Sequence, residues 1–326
     1  MMDKKNNVIL GKMKSLDFIS ILVAYVIIIT VFAVSSPYFL SVRNFFNIIQ
    51  YAAIVGVMAT SYTLLMICGE IDISVGSVVA LAGMVLGMLT PEDSTNIGGL
   101  LIAIIACVLT GGICCGINGL LVTKIKIPAF VATMATMNIY RGIAYIISNA
   151  KSITILNKSL TNIGRGDMLG IPNTIIILVI ATVIFWFIAR YTVFGRRLFI
   201  IGGNSDSAHL SGIKVKSSVL KIFAINGVMV GIASLMTTSQ LGAAMPQGSN
   251  GLEFDVISGI VLGGTSMSGG KGSIIGSLVG VLLLATLNNG MTMMEISSYW
   301  QLVVKGGVLL LAIVIDILKN KGKTSR

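Results

Sequence analysis

Two pairs of carboxylates recur in a chain with few charges. Glu70-Ile71-Asp72 and Glu253-Phe254-Asp255 each place two acids at i and i+2 directly before an apolar stretch seeded with Ser and Gly. The first is followed by Ile73-Ser74-Val75-Gly76-Ser77 and the second by Val256-Ile257-Ser258-Gly259-Ile260. Acids at such positions have two uses. A carboxylate ahead of a helix can accept hydrogen bonds from the free N–H groups of its first turn, and Asp72 and Asp255 are both placed for that. An acid can also touch a polar solute or an ion directly. The residue types leave both uses open, and Glu70 and Glu253 lack a capping position. The recurrence itself reads as a weak internal repeat of broken helices.

A second stretch invites phosphate chemistry and does not support it. Gly263-Gly264-Thr265-Ser266-Met267-Ser268-Gly269-Gly270-Lys271-Gly272-Ser273 is rich in glycine and carries a lysine. The phosphate-loop pattern needs Gly where Thr265 stands and Ser or Thr where Gly272 stands. Close helix packing through small residues, or a tight turn, is the reading that remains. The single histidine, His209, falls in an amphipathic loop helix and reads as a surface residue. Cys68, Cys107, Cys114 and Cys115 lie in or beside apolar runs without a C-x-x-C pair and read as small buried hydrophobes. No metal set, no cofactor and no enzymatic constellation is expected. What is left is a scatter of neutral polar residues inside apolar runs: Asn47, Gln50, Thr60, Asn118, Asn138, Asn226, Asn288 and Asn289. They can bond helix to helix, or they can line a path for a neutral polyol.

The elements that carry these residues are membrane spans. Of 326 residues, 55% are hydrophobic and 11% charged, against about 25% charged in soluble domains. A soluble enzyme and a disordered chain are both excluded on that ground. Apolar runs fall near Phe18–Val34, Phe45–Ile67, Ile73–Leu89, Ile97–Val122, Ile127–Ile147, Thr174–Ala189, Val219–Gln240, Phe254–Ser266, Ser273–Met291 and Tyr299–Ile317. At roughly 20 residues per crossing, these make about ten spans and leave no room for a large extramembrane domain. The basic N-terminus and first run are read as an uncleaved span. Phe254–Ser266 is too short for an upright crossing and is read as a broken helix or part of a longer segment.

Charge placement orients the chain. With a cytoplasmic N-terminus and a crossing at every run, the cytoplasmic side holds Lys4, Lys5, Lys12, Lys14, Lys124, Lys126, Arg190, Arg196, Arg197, Lys214, Lys216, Lys221, Lys271, Lys319, Lys321, Lys323 and Arg326. The C-terminus is then cytoplasmic as well. Only Arg43, Arg141, Lys151, Lys158, Arg165 and Lys305 fall elsewhere, and Glu92, Asp93 and Glu295 lie outside. Such an asymmetry is what sets orientation in a membrane. The net charge of +11 therefore reports topology and not nucleic-acid binding. One polar loop, Asn149–Asn173, lies outside. Another, Arg190–Ser218, lies inside, and within it Asn204 or Ser205 can cap a short surface helix that Gly212 ends.

Several ordered motifs carry a family resemblance. They are Ser36-Pro37-Tyr38-Phe39 with Arg43-Asn44-Phe45-Phe46-Asn47-Ile48; Ile71-Asp72-Ile73-Ser74-Val75-Gly76-Ser77; and Gly195-Arg196 with Gly202-Gly203-Asn204 and Leu210-Ser211-Gly212-Ile213. The strongest is Val261-Leu262-Gly263-Gly264-Thr265-Ser266-Met267-Ser268-Gly269-Gly270-Lys271-Gly272, followed by Leu287-Asn288-Asn289-Gly290 and Ser297-Ser298-Tyr299-Trp300-Gln301. In these segments the chain resembles the monosaccharide permeases of bacterial ABC importers, most closely the ribose permease family. The resemblance implies an all-α polytopic fold of about ten transmembrane helices, of the type II-like importer kind, as one permease domain over residues 1–326. It implies a homodimer of permeases in the lipid of the bacterial cytoplasmic (inner) membrane, an ABC ATPase below that uses ATP and Mg, and an extracytoplasmic sugar-binding protein above. The segment at about 190–218 matches the family's coupling loop, which points to Gly195, Arg196, Gly203, Asn204, Ala208, Leu210, Ser211, Gly212 and Ile213 as the contact with the ATPase. One departure is Glu70, where that family often has Gly.

The expected function is a permease subunit that carries ribose or a similar pentose into the cytoplasm and hydrolyses nothing itself. Candidate pathway residues are Asn47, Asp72, Ser74, Ser77, Asp255, Thr265, Asn288 and Asn289. The alternatives are the same machine with xylose, galactose or a furanose signalling molecule as cargo, an ion-coupled carrier built on the four carboxylates, and a membrane-embedded enzyme.

Overall fold

The structure is a computed structural model that describes residue 23 and residues 25–321, with side chains to residue 317. The basic residues Lys4, Lys5, Lys12, Lys14, Lys323 and Arg326, and the start of the first apolar run, lie outside the described residues. The described part of that run forms α1 (Tyr25–Ser35). The remaining apolar runs form α2 (Val42–Ile67), α3 (Val75–Leu89), α4 (Ile97–Leu120), α5 (Ala129–Ser148), α7 (Asn173–Tyr191), α10 (Val215–Leu241), α11 (Leu252–Leu262), α12 (Ile274–Met293) and α13 (Ser298–Lys321). Connections carry three shorter helices, α6 (Lys158–Arg165), α8 (Val193–Gly203) and α9 (Ser205–Leu210). Among the described residues, seven helices are long and apolar enough to cross a membrane, and α1 and α3 are shorter apolar helices. With α11 the ten apolar runs are all accounted for.

Local chemistry sets the helix ends. The side chains of Ser41, Asn96 and Ser273 accept from the N–H of Asn44, Gly99 and Gly276, which starts α2, α4 and α12. Gly242, at φ 70°, turns the chain out of α10. The run expected at Phe254–Ser266 forms an 11-residue helix followed by a turn. At 1.5 Å per residue α11 is about 16 Å long, half the roughly 30 Å of a hydrocarbon core.

The α2 span is 83% buried, whereas α13 is 6% buried. Core side chains belong mostly to α2, α3, α10 and α12, with Met58, Tyr62, Leu65, Val78, Met84, Ile222, Phe223, Leu284 and Ala285 among them. The opposite helices expose Leu, Ile and Val along their lengths. In water such a surface would aggregate, and in a bilayer it meets lipid.

Contacts between chain ends define two ends of the bundle. At one, β1 (Ile153–Thr154), after α5, pairs antiparallel with β4 (Ala243–Ala244), after α10, and Asn157 Nδ2 donates to the carbonyls of Pro91 and Asp93 beyond α3. A second small pair, β2 (Asp167–Met168) with β3 (Ile171–Pro172), leads into α7. We call this the strand end. At the other, the last carbonyl of α2, Ile67 O, accepts from Gly270 N–H at 2.8 Å. A methyl at Gly202 would collide with that same Ile67 carbonyl and with Gly270 N. This is the loop end, where α8, α9 and the start of α10 and α12 lie. The Gly263–Gly272 stretch is thus a turn: Gly264, Gly269 and Gly270 have φ of 86°, 82° and 72°, and the turn packs on Gly202 and Gly203. The small-residue reading of this stretch holds.

Helix α2 ends at the loop end and α10 begins there, so these two packed helices run in opposite directions. Each is followed by a short helix, α3 or α11, and then by a long one that packs beside the short helix, α4 or α12. The two acidic motifs precede or open the equivalent short helices. The starts of α3 and α11 meet inside the bundle: a methyl on Gly76 would collide with the Glu253 carboxylate and the Ser249 carbonyl. The weak repeat of the sequence is therefore visible as an inverted pair of long–short–long helix units.

Candidate functional site

A cavity of about 590 Å³ lies at the head of α11, within the roughly 300–1,000 Å³ of small-molecule sites. Its walls are Asn47, Gln50, Tyr51 and Ile54 of α2, Thr237, Gln240 and Leu241 of α10, Ser249, Asn250, Leu252 and Asp255 at the start of α11, and Lys305 of α13. Asn47, Gln50, Tyr51 and Ile54 share one face of α2 because they are spaced by three and four residues. Tyr51 Oη donates to Asp255 Oδ2 at 2.6 Å, and Lys305 Nζ pairs with the same oxygen at 3.0 Å. Gln240 Nε2 reaches Gln50 Oε1 at 3.4 Å.

Cations buttress this wall from behind. Arg141 Nη1 donates to the carbonyls of Pro246 and Gly248 at 2.8 and 2.7 Å, which holds the loop before α11. Arg165 Nε and Nη2 donate to Gln240 O and Leu241 O, both at 2.7 Å, and so satisfy the last carbonyls of α10. Three of the six basic residues that the charge pattern leaves out of place, Arg141, Arg165 and Lys305, are thus built into the cavity's surroundings.

Of the expected pathway residues, Asn47 and Asp255 line the cavity. Asn288 lies beside the Tyr51 hydroxyl, with both its polar side-chain atoms buried and unpartnered. Asn289 Nδ2 donates to Asn44 Oδ1 at 2.8 Å, and its own Oδ1 is buried without a partner. These residues form a polar seam between α2 and α12 that leads away from the cavity.

Asp72, Ser74, Ser77 and Thr265 lie elsewhere. Asp72 is fully buried. Its Oδ1 accepts from Ser74 N at 2.9 Å and Ser74 Oγ at 2.6 Å, and Asn118 Nδ2 donates to both carboxylate oxygens at 3.1–3.2 Å. Tyr62 Oη bonds the Asp72 backbone on both sides, at 2.8 and 3.0 Å. Asp72 thereby closes the turn ahead of α3, but it reaches no N–H of the helix's first turn, so the expected cap is not made and the carboxylate instead ties the turn to α4 through Asn118. Ser77 is buried in α3. Thr265 Oγ1 meets Ser277 Oγ at 3.2 Å in the glycine-rich turn. Asp255, by contrast, lies within the first turn of α11 and faces Tyr51 and Lys305.

At the loop end, α8 starts on Thr192, whose Oγ1 accepts from Gly195 N. Asn204 caps α9 by accepting from Ser207 N at 2.8 Å. Gly212, at φ 79°, ends it, and Ile213 N–H returns to Ala208 O at 3.1 Å. Ala208 is buried beneath α9, while Leu210 is 87% exposed. Ser211 Oγ bonds Ser207 O, and Arg196 Nη1 reaches Tyr191 O. A second cleft of about 440 Å³ separates α9 from the turn after α2 and is lined in part by Glu70, Gly203, Asn204 and Asp206. Burial pushes the Glu70 carboxyl up to about 7.

Sequence reading missed Tyr51, Gln240, Asn250 and Lys305 as wall residues, and placed Gln50 only among polar residues of spans. Lys305 did carry a signal, as a cation inside an apolar run and off the basic face.

An all-helical bundle with lipid-compatible flanks and a polar cavity at a broken helix defines a multi-pass membrane permease. Residues 44–313 match the family described as branched-chain amino acid transport system / permease component, and the chain belongs to that family. It is 40% identical to the ribose import permease protein RbsC of Bacillus subtilis, over 90% of this chain and 91% of the relative. It is 36% identical to the D-allose transport system permease protein AlsC of Escherichia coli, over 90% of each chain. It is 33% identical to the L-arabinose ABC transporter permease protein AraH of Azospirillum brasilense, over 91% of this chain and 86% of the relative. All three relatives are named as permease proteins, and the arabinose relative as part of an ABC transporter. No solved structure matches the chain.

Proposed function

We propose that the chain is the permease subunit of an ATP-driven importer that moves a monosaccharide, ribose or a similar pentose, into the cytoplasm. The observation that carries the reading is the cavity at the head of α11. It is walled by amides, a tyrosine and one ion pair, in a chain that aligns over nine tenths of its length with permeases named for ribose, allose and arabinose. Neutral donors and acceptors suit a polyol, which must exchange water at several hydroxyls without strong binding.

In this reading the loop end is cytoplasmic, since Arg190 at the end of α7, Arg196 and Arg197 of α8, and Lys214, Lys216 and Lys221 at the start of α10 gather there. Segment 190–218 is the coupling element: α9 projects exposed Leu210 toward a partner ATPase, and buried Ala208 ties it to the bundle. The strand end faces a sugar-binding protein. Two copies of the chain share the membrane, and the partner ATPase consumes the ATP and Mg. Sugar enters past Asn47, Gln50, Tyr51, Gln240 and Asp255, and Asn288 and Asn289 extend the polar wall. Movement of α8 and α9 on ATP binding is transmitted to α2 and the 263–272 turn through the close contact at Gly202.

The test is uptake in a bacterial strain that lacks its own ribose permease. Co-expression of this chain with an ATPase and a binding protein restores uptake of labelled D-ribose, and leucine does not compete. Uptake of leucine without uptake of ribose overturns the reading.

A further inference from the structure

The Asp255 carboxylate is bonded on one oxygen only. Tyr51 Oη and Lys305 Nζ both land on Oδ2, at 2.6 and 3.0 Å. Among the described residues no protein donor reaches Oδ1, and that atom is not sealed from the cavity. Lys305 Nζ carries three N–H donors and gives one to Asp255. Its side chain is 25% exposed and lines the same cavity. The wall therefore offers a free anionic acceptor beside free cationic donors, fixed side by side because they share one carboxylate. Ion pairs within the apolar helices of a membrane protein are costly to keep and mark functional sites.

We infer that Asp255 and Lys305 form a clamp for a vicinal diol: one sugar hydroxyl donates to Asp255 Oδ1, and the oxygen of the neighbouring hydroxyl accepts from Lys305 Nζ. Tyr51 holds the carboxylate in the rotamer that turns Oδ1 to the cavity. A neutral diol enters without breaking the ion pair, because it uses only bonds the pair leaves open. A zwitterionic amino acid could reach the same open bonds, but it must shed the hydration of two full charges to meet a pair whose charges already neutralise each other. The clamp thus favours polyols over the amino acids named in the family description. This deepens the monosaccharide reading and rests on it.

The experiment uses the assembled complex in proteoliposomes with Thr237→Cys in the cavity wall. The four native cysteines are buried, so a water-soluble maleimide reports on position 237. D-ribose slows labelling, whereas 2,3-dideoxy-D-ribose, which lacks the vicinal diol, and L-leucine do not. In the added pair Asp255→Asn and Lys305→Met, which removes both charges together and leaves neither unpaired, labelling without sugar is unchanged and protection needs about tenfold more ribose or greater. Equal protection by the dideoxy sugar or by leucine overturns the clamp, as does unaltered ribose protection in the double variant. If that variant does not fold, the comparison of ribose with the dideoxy sugar in the Thr237→Cys protein decides alone. Ribose uptake by the complex without protection of position 237 overturns the clamp and leaves the monosaccharide reading standing; absence of both overturns that reading.

Discussion

Asp72 and Asp255 occupy matching places in the sequence and do different work. Asp72 is sealed under Tyr62, Ser74 and Asn118, so its carboxylate is structural. Asp72→Ala strands Ser74 N–H and the Asn118 amide in the bundle interior, at a cost of about 1–3 kcal/mol. Thermal unfolding of the purified protein shows that loss, and Asp72→Asn, which keeps an acceptor for Ser74, loses less. Glu70 behaves differently because it sits outside the spans, at the loop end. Burial raises its pKa from 4.5 to about 7, so the folded protein holds this proton more tightly than the unfolded one. Its contribution is fully favourable below the unfolded value and is lost as pH rises through about 7. Glu70→Gln therefore gains stability relative to the parent between pH 4.5 and about 7, and the difference is constant above that range. Parallel melting curves of the two proteins across this window check it. Asp93, on the strand end, shows the opposite shift, held low by the Thr95 N–H and hydroxyl.

Among elements, apolar periodicity and turn chemistry were enough to place the ten apolar helices and α9, but not α6 and α8, which form in segments legible only as loops. The run at Phe254–Ser266 was legible as too short, and the structure makes it a half-span whose first turn carries Glu253 and Asp255. The glycine-rich stretch was legible as packing. What could not be read was the company each residue keeps. Tyr51, Asp255 and Lys305 meet across 204 and 50 residues of chain, and spacing within one sequence reports only neighbours three or four apart on a helix. The proposed coupling segment gives a test at this scale. A side chain on Gly202 meets backbone at Ile67 and Gly270, whereas one on Gly203 projects into open space. Gly202→Leu is therefore expected to destabilise the protein by about 1–3 kcal/mol. Gly203→Leu leaves the melting temperature near that of the parent and reduces co-purification of the ATPase. Gly212, at φ 79°, is a poorer probe, because any side chain there strains the backbone as well.

Across the whole molecule, low charge content fixes the membrane class, and in the proposed orientation the positions of the few charges put the 190–218 segment on the cytoplasmic side. The exceptions to the basic face proved informative: Arg141 and Arg165 brace the cavity wall, and Lys305 belongs to it. The central claim is that this chain supplies the path and a partner supplies the energy. The measurement that reaches it most directly is initial uptake of labelled D-ribose into proteoliposomes. With the ATPase, the binding protein and ATP on the side of the 190–218 segment, uptake is expected, and it stops when ATP is replaced by a non-hydrolysable analogue. Uptake by the chain alone, driven by a proton or sodium gradient and indifferent to ATP, would contradict the account.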